Sequence, residues 1–161
     1  MWSALIAVLG TLAGAALASS TQILADRRAR AEQQRDAITA AAGQLLRAVL
    51  HHRELFWLMV AGLRTDRAQT HEDTAALYRA RSEVTDARDH LALVTTAPAL
   101  IAAAEEAAWS SIDLADISLD SPVNGRFSPS TETTLAAARK RSRDAHTALR
   151  HAATAHIHHD R

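Results

Sequence analysis

Cysteine is absent from this 161-residue chain, and proline and glycine are scarce, at three and five residues. Without cysteine there is no thiol nucleophile, and the composition suits a reducing compartment without requiring one. Val and Ile are thin outside the N-terminal segment, so β structure has little support. Lysine occurs once, as Lys140, against seventeen arginines. The most informative absence is local. Met1 to Ala25 carry no charged side chain, whereas the next five residues, Asp26-Arg27-Arg28-Ala29-Arg30, carry four.

That edge has the form of a membrane anchor. Trp2 to Ala25 would extend roughly 36 Å as a helix, enough for a hydrocarbon core of about 30 Å. An arginine at mid-bilayer costs at least about 2.5–3.5 kcal/mol, so Arg27, Arg28 and Arg30 mark a stop. The strongly apolar part ends near Ala18, and Ser19-Ser20-Thr21-Gln22 soften the span before Ile23 and Leu24. A cleavable signal peptide would use Ala16-Leu17-Ala18, but Met1-Trp2-Ser3-Ala4 lacks a basic n-region. A buried helix of a soluble protein would fit a shorter run better. The uncleaved anchor is the preferred reading of the three. Retention of the arginines inside then puts the N-terminus outside and residues 26–161 in the cytoplasm.

Within the span, Gly10 and Gly14 form a GxxxG pair that Ala7 and Ala18 extend. Small residues at this spacing let helix backbones approach closely in lipid, which predicts self-association.

Alanine and leucine dominate the rest, which favours helix. Ile38, Leu45, Val49, Phe56, Val60 and Leu63 mark one apolar face of a helix continuing from the anchor to about Leu63, with Ala25 to Gln34 as a polar stalk. Thr70-His71-Glu72-Asp73 offers a capping signal for a second helix, about Thr74 to Val94, with Leu77, Val84, Leu91 and Val94 facing inward. Pro98 opens a third, to about Asp116, with Ile101, Ala104, Ala108 and Ile112 as its stripe. Ser118 to Ser130, with Asn124-Gly125, is the longest loop. Ser130 or Thr131 would cap a fourth helix reaching about Ala155, with Leu135, Ala138, Ala145, Leu149 and Ala152 inward. The predicted fold is all-α: one transmembrane helix (1–25) followed by an antiparallel, alanine-rich bundle of about four helices (26–161).

Charge alternates along the body. Residues 26–53 and 139–161 are basic, and residues 66–120 hold eleven acidic residues against four arginines. Basic helices packed beside acidic ones account for this better than a dedicated phosphate-binding face. Arg139-Lys140-Arg141-Ser142-Arg143 has no interleaved aromatic and no helix-turn-helix around it, so it reads as solvated helix face, and direct DNA binding is not expected. Nine histidines invite a metal. His146, His151 and His156 are five apart, a poor chelating step on a helix, and His158-His159 lie at the chain end. His51 and His52 point in different directions, and Glu105 and Glu106 do not share a face. No GxSxG, P-loop, HExxH or dinucleotide fingerprint is present. No catalytic, cofactor or metal residue is assigned, and an enzyme is not expected.

Ala4-Leu5-Ile6-Ala7-Val8-Leu9-Gly10-Thr11-Leu12-Ala13-Gly14-Ala15 before an Arg-rich stalk, His52-Arg53 with Trp57 and Arg64, Tyr78-Arg79-Ala80-Arg81-Ser82, and Pro98-Ala99-Leu100 before an alanine-rich helix come in this order. In that order they resemble the KilB-type plasmid spread proteins of streptomycetes. The resemblance implies a role in conjugative plasmid transfer in mycelial bacteria, where small membrane proteins help a plasmid pass between compartments of the recipient. It implies a separate DNA translocase, toxicity on unregulated expression, and no catalytic residues to carry over. The expected function is therefore a small, membrane-anchored, non-enzymatic protein acting through protein–protein contacts. Its expected partners are the membrane, other copies of itself and transfer-machinery proteins. The alternative is a toxin- or holin-like protein that oligomerises in the bilayer.

Overall fold

The computed structural model describes the backbone of residues 2–159 and the side chains of residue 22 and residues 25–157. Four α-helices account for most of it: α1 (Trp2–Arg64), α2 (His71–Val94), α3 (Pro98–Ile112) and α4 (Pro129–His159). A single 3₁₀ turn, Asp113–Asp116, follows α3, and the one β-type pairing among the described residues is an isolated bridge between Val123 and Arg126. The chain divides into two units, residues 1–37 and residues 38–161.

In the first unit the described side chains from Ala25 to Gln34 are all exposed, as expected of a polar stalk. Ala7, Gly10, Gly14 and Ala18 lie outside the residues whose side chains are described. Among the described residues no helix is long and apolar enough to cross a membrane.

The second unit is the bundle. Cross-helix pairs give its register: Gln44 meets His90 and His51 meets Glu83, so α1 and α2 run antiparallel. Arg53 meets Ser142 and Arg64 meets Glu132, so α1 and α4 do too. One core cluster joins Leu45, Val49, Val84, Leu91, Leu100, Ile112 and Leu149, and a second joins Phe56, Val60, Leu114, Phe127 and Leu135. Ten of the 23 buried apolar residues described are alanine, so helix axes approach closely and added volume has nowhere to go.

Local chemistry sets the helix ends. Asp66 adopts a left-handed conformation (φ 56°), which lets Asp66 N–H reach Leu63 O at 3.2 Å and Arg67 N–H reach Gly62 O at 3.0 Å. This double bond satisfies carbonyls that the end of α1 would otherwise leave open. Thr70 caps α2 in a full capping box: its hydroxyl accepts from Asp73 N–H at 3.1 Å, and the Asp73 carboxylate accepts from Thr70 N–H at 3.0 Å. Those bonds hold the Asp73 carboxyl below its ordinary range. Thr70→Ala is expected to destabilise the bundle by about 1 kcal/mol, read as a lowered urea midpoint at unchanged m-value.

Four boundaries differ from the sequence reading. α2 begins at His71 rather than near Thr74, because Thr70 itself is the capping residue. α3 ends at Ile112 rather than near Asp116, because the chain tightens into the 3₁₀ turn. α4 begins at Pro129, not after Ser130 or Thr131. Ser128 is the capping residue, with its carbonyl accepting from Glu132 N–H at 2.9 Å and its hydroxyl accepting from Thr131 N–H at 3.4 Å. Proline at the first helical position lacks the donor that would go unsatisfied there. α4 also runs on to His159 rather than ending near Ala155.

The long connection is not featureless. Asn124 (φ 52°) and Gly125 (φ 75°) form a two-residue turn with both central φ angles positive, closed by Val123 N–H to Arg126 O at 2.8 Å. A Cβ on Gly125 would stand 3.1 Å from Arg64 O, so the tip sits against the end of α1.

Candidate functional site: an apolar cleft and a basic groove

Two recesses in the bundle carry polar groups with chemistry to spare. The first lies between the C-terminal half of α1, α2 and the segment after α3. It is a cleft of about 500 Å³ whose walls mix Met59, Leu63 and Leu77 with Arg81, Asp116 and Asp120. At its inner wall is His52, fully buried. His52 Nδ1 lies 3.1 Å from Ser111 Oγ, and the Ser111 hydroxyl donates to Val49 O at 3.4 Å. A hydroxyl that donates to the carbonyl accepts from the imidazole, which assigns the Nδ1–H tautomer and leaves Nε2 as an acceptor. Nε2 has no partner among the described residues. Burial first, then the Arg81 and His51 charges, push the His52 pKa down to about 4, so the ring is neutral near pH 7. Ser111 is wholly buried, so its hydroxyl cannot be presented to a substrate.

The second recess is a groove of about 530 Å³ between α1 and α4, lined by Trp57 and Arg64 on one side and Glu132, Arg139 and Arg143 on the other. The antiparallel register sets successive residues opposite one another: Arg139 Cζ stands 4.2 Å over the Trp57 ring, and Arg53 Nη1 donates to Ser142 O at 3.4 Å. At one end Arg64 bridges to Glu132 at 2.6 Å and lies over the Phe127 ring at 5.5 Å, while Glu132 also accepts from Phe127 N–H at 3.3 Å. That knot ties the long connection to both helices. Burial and the nearby Arg143 and Arg139 lower the Arg53 pKa, and burial with Arg53 and Arg150 lowers that of His146. Like charges have been gathered here rather than dispersed.

The basic run of α4 divides by pairing rather than by face, since the paired Lys140 lines the same groove as Arg139 and Arg143. Arg141 bridges Glu106 at 2.9 Å and Asp113 at 3.0 Å, and Lys140 bridges Asp144 at 2.7 Å. Arg139, Arg143 and Arg150 make no ion pair among the described residues.

Of the residues singled out from the sequence, Arg27, Arg28 and Arg30 are exposed on α1. Among the described residues no three His, Asp or Glu side chains are grouped to hold a metal ion. Glu106 forms an ion pair with Arg141 and is not coupled to Glu105 as a carboxylate pair. The resemblance names His52, Arg53 and Trp57 without a role; the burial of His52 and the pairing of Arg53 and Trp57 with α4 come from the fold. The available signal was the spacing, Arg53 with Trp57 and Arg139 with Arg143, each one helical turn apart.

Fold and site together define an all-α bundle with a neutral buried histidine under a cleft of mixed lining and a basic groove on another face. The family model for the KilB plasmid transfer protein matches residues 39–157, which is most of the bundle unit and well over half of the chain. The chain belongs to the KilB family and has a role in plasmid transfer. No curated protein and no solved structure matches it.

Proposed function

We propose that this protein is a membrane-anchored, non-enzymatic plasmid spread factor whose bundle works on the cytoplasmic side through contacts with other transfer proteins. The observation that carries the reading is the charge edge at Ala25–Asp26: 25 residues without a charged side chain, then the exposed Arg27, Arg28 and Arg30. Family membership supplies the process. The cleft beside His52 offers apolar walls (Met59, Leu63, Leu77) and polar ones (Arg81, Asp116, Asp120) for a partner's side chain.

Fractionation tests the anchor. The full chain is expected to stay with membranes through alkaline carbonate extraction, and recovery in the soluble fraction would sink the idea. The absence of cysteine makes orientation equally accessible. Ser3→Cys is expected to react with an impermeant maleimide on intact cells, and Ser130→Cys only after permeabilisation; the reverse pattern would invert the assigned topology.

Gly10 and Gly14 are assigned to self-association within the span. Gly14→Ile fills the ridge through which backbones would approach, so the cross-linked dimer in membranes is expected to fall severalfold. An unchanged dimer yield would remove the helix pair from the account.

A further inference from the structure

The α1–α4 interface, of which the groove lined by Trp57 and Arg64 is one part, holds several buried nitrogens without a partner. Arg53 Nε, Trp57 Nε1, Arg64 Nε and His146 Nδ1 are all buried with no hydrogen-bond partner; His52 Nε2, in the cleft, is the other buried side-chain atom so left among those described. An Arg Nε–H and an indole N–H can only donate, so a ligand that satisfies them must bring acceptors. Buried polar groups are ordinarily paired, and an unpaired one calls for a partner such as an ordered water, an ion or a ligand.

The charges beside these donors point the same way. Arg139, Arg143 and Arg150 lie on α4 at steps of four and seven residues, with His146 between the last two, a row of about 16 Å at 1.5 Å per residue. Arg53 on α1 adds to it from across the interface. The carboxylates nearest the row, Glu132 and Asp144, already pair with Arg64 and Lys140.

We propose that this groove and the row of cations beyond it bind the phosphodiester backbone of DNA without regard to sequence. A row of separated cations suits a repeating oxyanion better than a single headgroup, which one pocket would serve. The α4 run lacks an interleaved aromatic, which argued against nucleic acid in the sequence. The fold gives Trp57 a different part: its ring lies under Arg139 and holds that guanidinium in place, which suits contact with the backbone rather than with bases. The site does not depend on the anchor, so its failure and the anchor's failure are separable.

The test uses the full chain in neutral detergent micelles and the anisotropy of a short fluorescein-labelled duplex. Binding is expected with a linear fall of log K against log salt. Arg139→Gln and Arg143→Gln are each expected to weaken binding and to reduce that slope by about 0.9, the loss of one phosphate contact. Arg141→Gln is the internal control, because Glu106 and Asp113 already neutralise that side chain: affinity and slope are expected to be unchanged. Duplex addition is expected to change tryptophan fluorescence in the parent and not in Trp57→Phe, a variant that keeps the ring's packing. Equal losses at Arg141 and Arg143 would overturn the assignment, as would no measurable duplex binding. Preferential binding to phosphatidylglycerol vesicles, undisplaced by duplex, would reassign the groove to the membrane and overturn it too. So would displacement of duplex by inorganic phosphate at equal phosphate concentration, since that would mean a single-ion pocket.

Discussion

Phe56→Ala is expected to destabilise the bundle by about 3–5 kcal/mol, while Leu58→Ala, two residues along the same helix, should change it by no more than about 0.5 kcal/mol. Phe56 is 1% exposed and Leu58 60% exposed, so the pair isolates burial from helix propensity. The reason for the large effect is position. Phe56 belongs to the cluster that joins α1 to Leu114 after α3, to Phe127 in the long connection and to Leu135 in α4. Its ring also meets Trp57 edge-on, with centroids 5.0 Å apart. Truncation leaves a cavity that an alanine-rich bundle, with its helices already close, has little freedom to collapse. Chemical denaturation of the full chain in micelles reads both values. Comparable losses at the two positions would mean that this end of α1 is not packed as described. Against a typical domain stability of about 5–15 kcal/mol, a loss of this size brings Phe56→Ala near the unfolding threshold.

Acidification is expected to destabilise the protein well above the carboxylate range, and His52 is the cause. Its pKa lies at about 4 in the fold against 6.5 for the free side chain. Above pH 6.5 the ring is neutral in both folded and unfolded states and contributes no pH dependence. As pH falls below that value the unfolded chain takes up a proton that the folded chain refuses, and stability declines until about pH 4. At pH 5 the loss from this group is about 2 kcal/mol. His52→Leu removes the titration, so the difference in stability between pH 7.5 and pH 5 is expected to shrink by about that amount. His146, also held down by burial, contributes in the same direction. Asp73 and Asp120, whose carboxyls are held below their ordinary range by hydrogen bonds from Thr70 and Ser128, add their loss at lower pH. An unchanged pH profile in His52→Leu would place the proton elsewhere.

The sequence announced the helices clearly and the site poorly, for physical reasons. Leu45, Val49, Phe56 and Val60 are large residues at helical spacing, and all are buried. Proline at position 98 and the Thr70–Asp73 pair mark starts through chemistry local enough to read in one dimension. α3 shows where that fails. Its stripe was assigned through Ile101, but Leu100 is the fully buried residue and Ile101 only partly so. In a helix that is mostly alanine, small residues fit inside or outside, so they do not fix which way the few large ones turn. Trp109, beside the stripe, is 46% exposed, with Arg88 stacked on it at 5.3 Å.

The functional groups were hidden by distance along the chain. Nothing around His52 distinguishes it from His51. Only Ser111, on another helix, supplies the partner that lets an imidazole be buried. The groove likewise arises from register. Trp57 and Arg139 are far apart in sequence and meet because α1 and α4 run antiparallel. Arg139 to Arg143 reads as one basic run, and the fold divides it into paired cations, Lys140 and Arg141, and unpaired ones, Arg139 and Arg143.

The central claim is that a KilB-family bundle acts in plasmid transfer from a membrane anchor supplied by residues 1–25. The measurement that tests it most directly is plasmid spread through a recipient mycelium expressing either the full chain or the chain without those residues. The bundle must be shown by immunoblot to accumulate to equal levels in both strains. The account predicts that spread is lost when the bundle is released to the soluble fraction. Undiminished spread with a soluble bundle would contradict it.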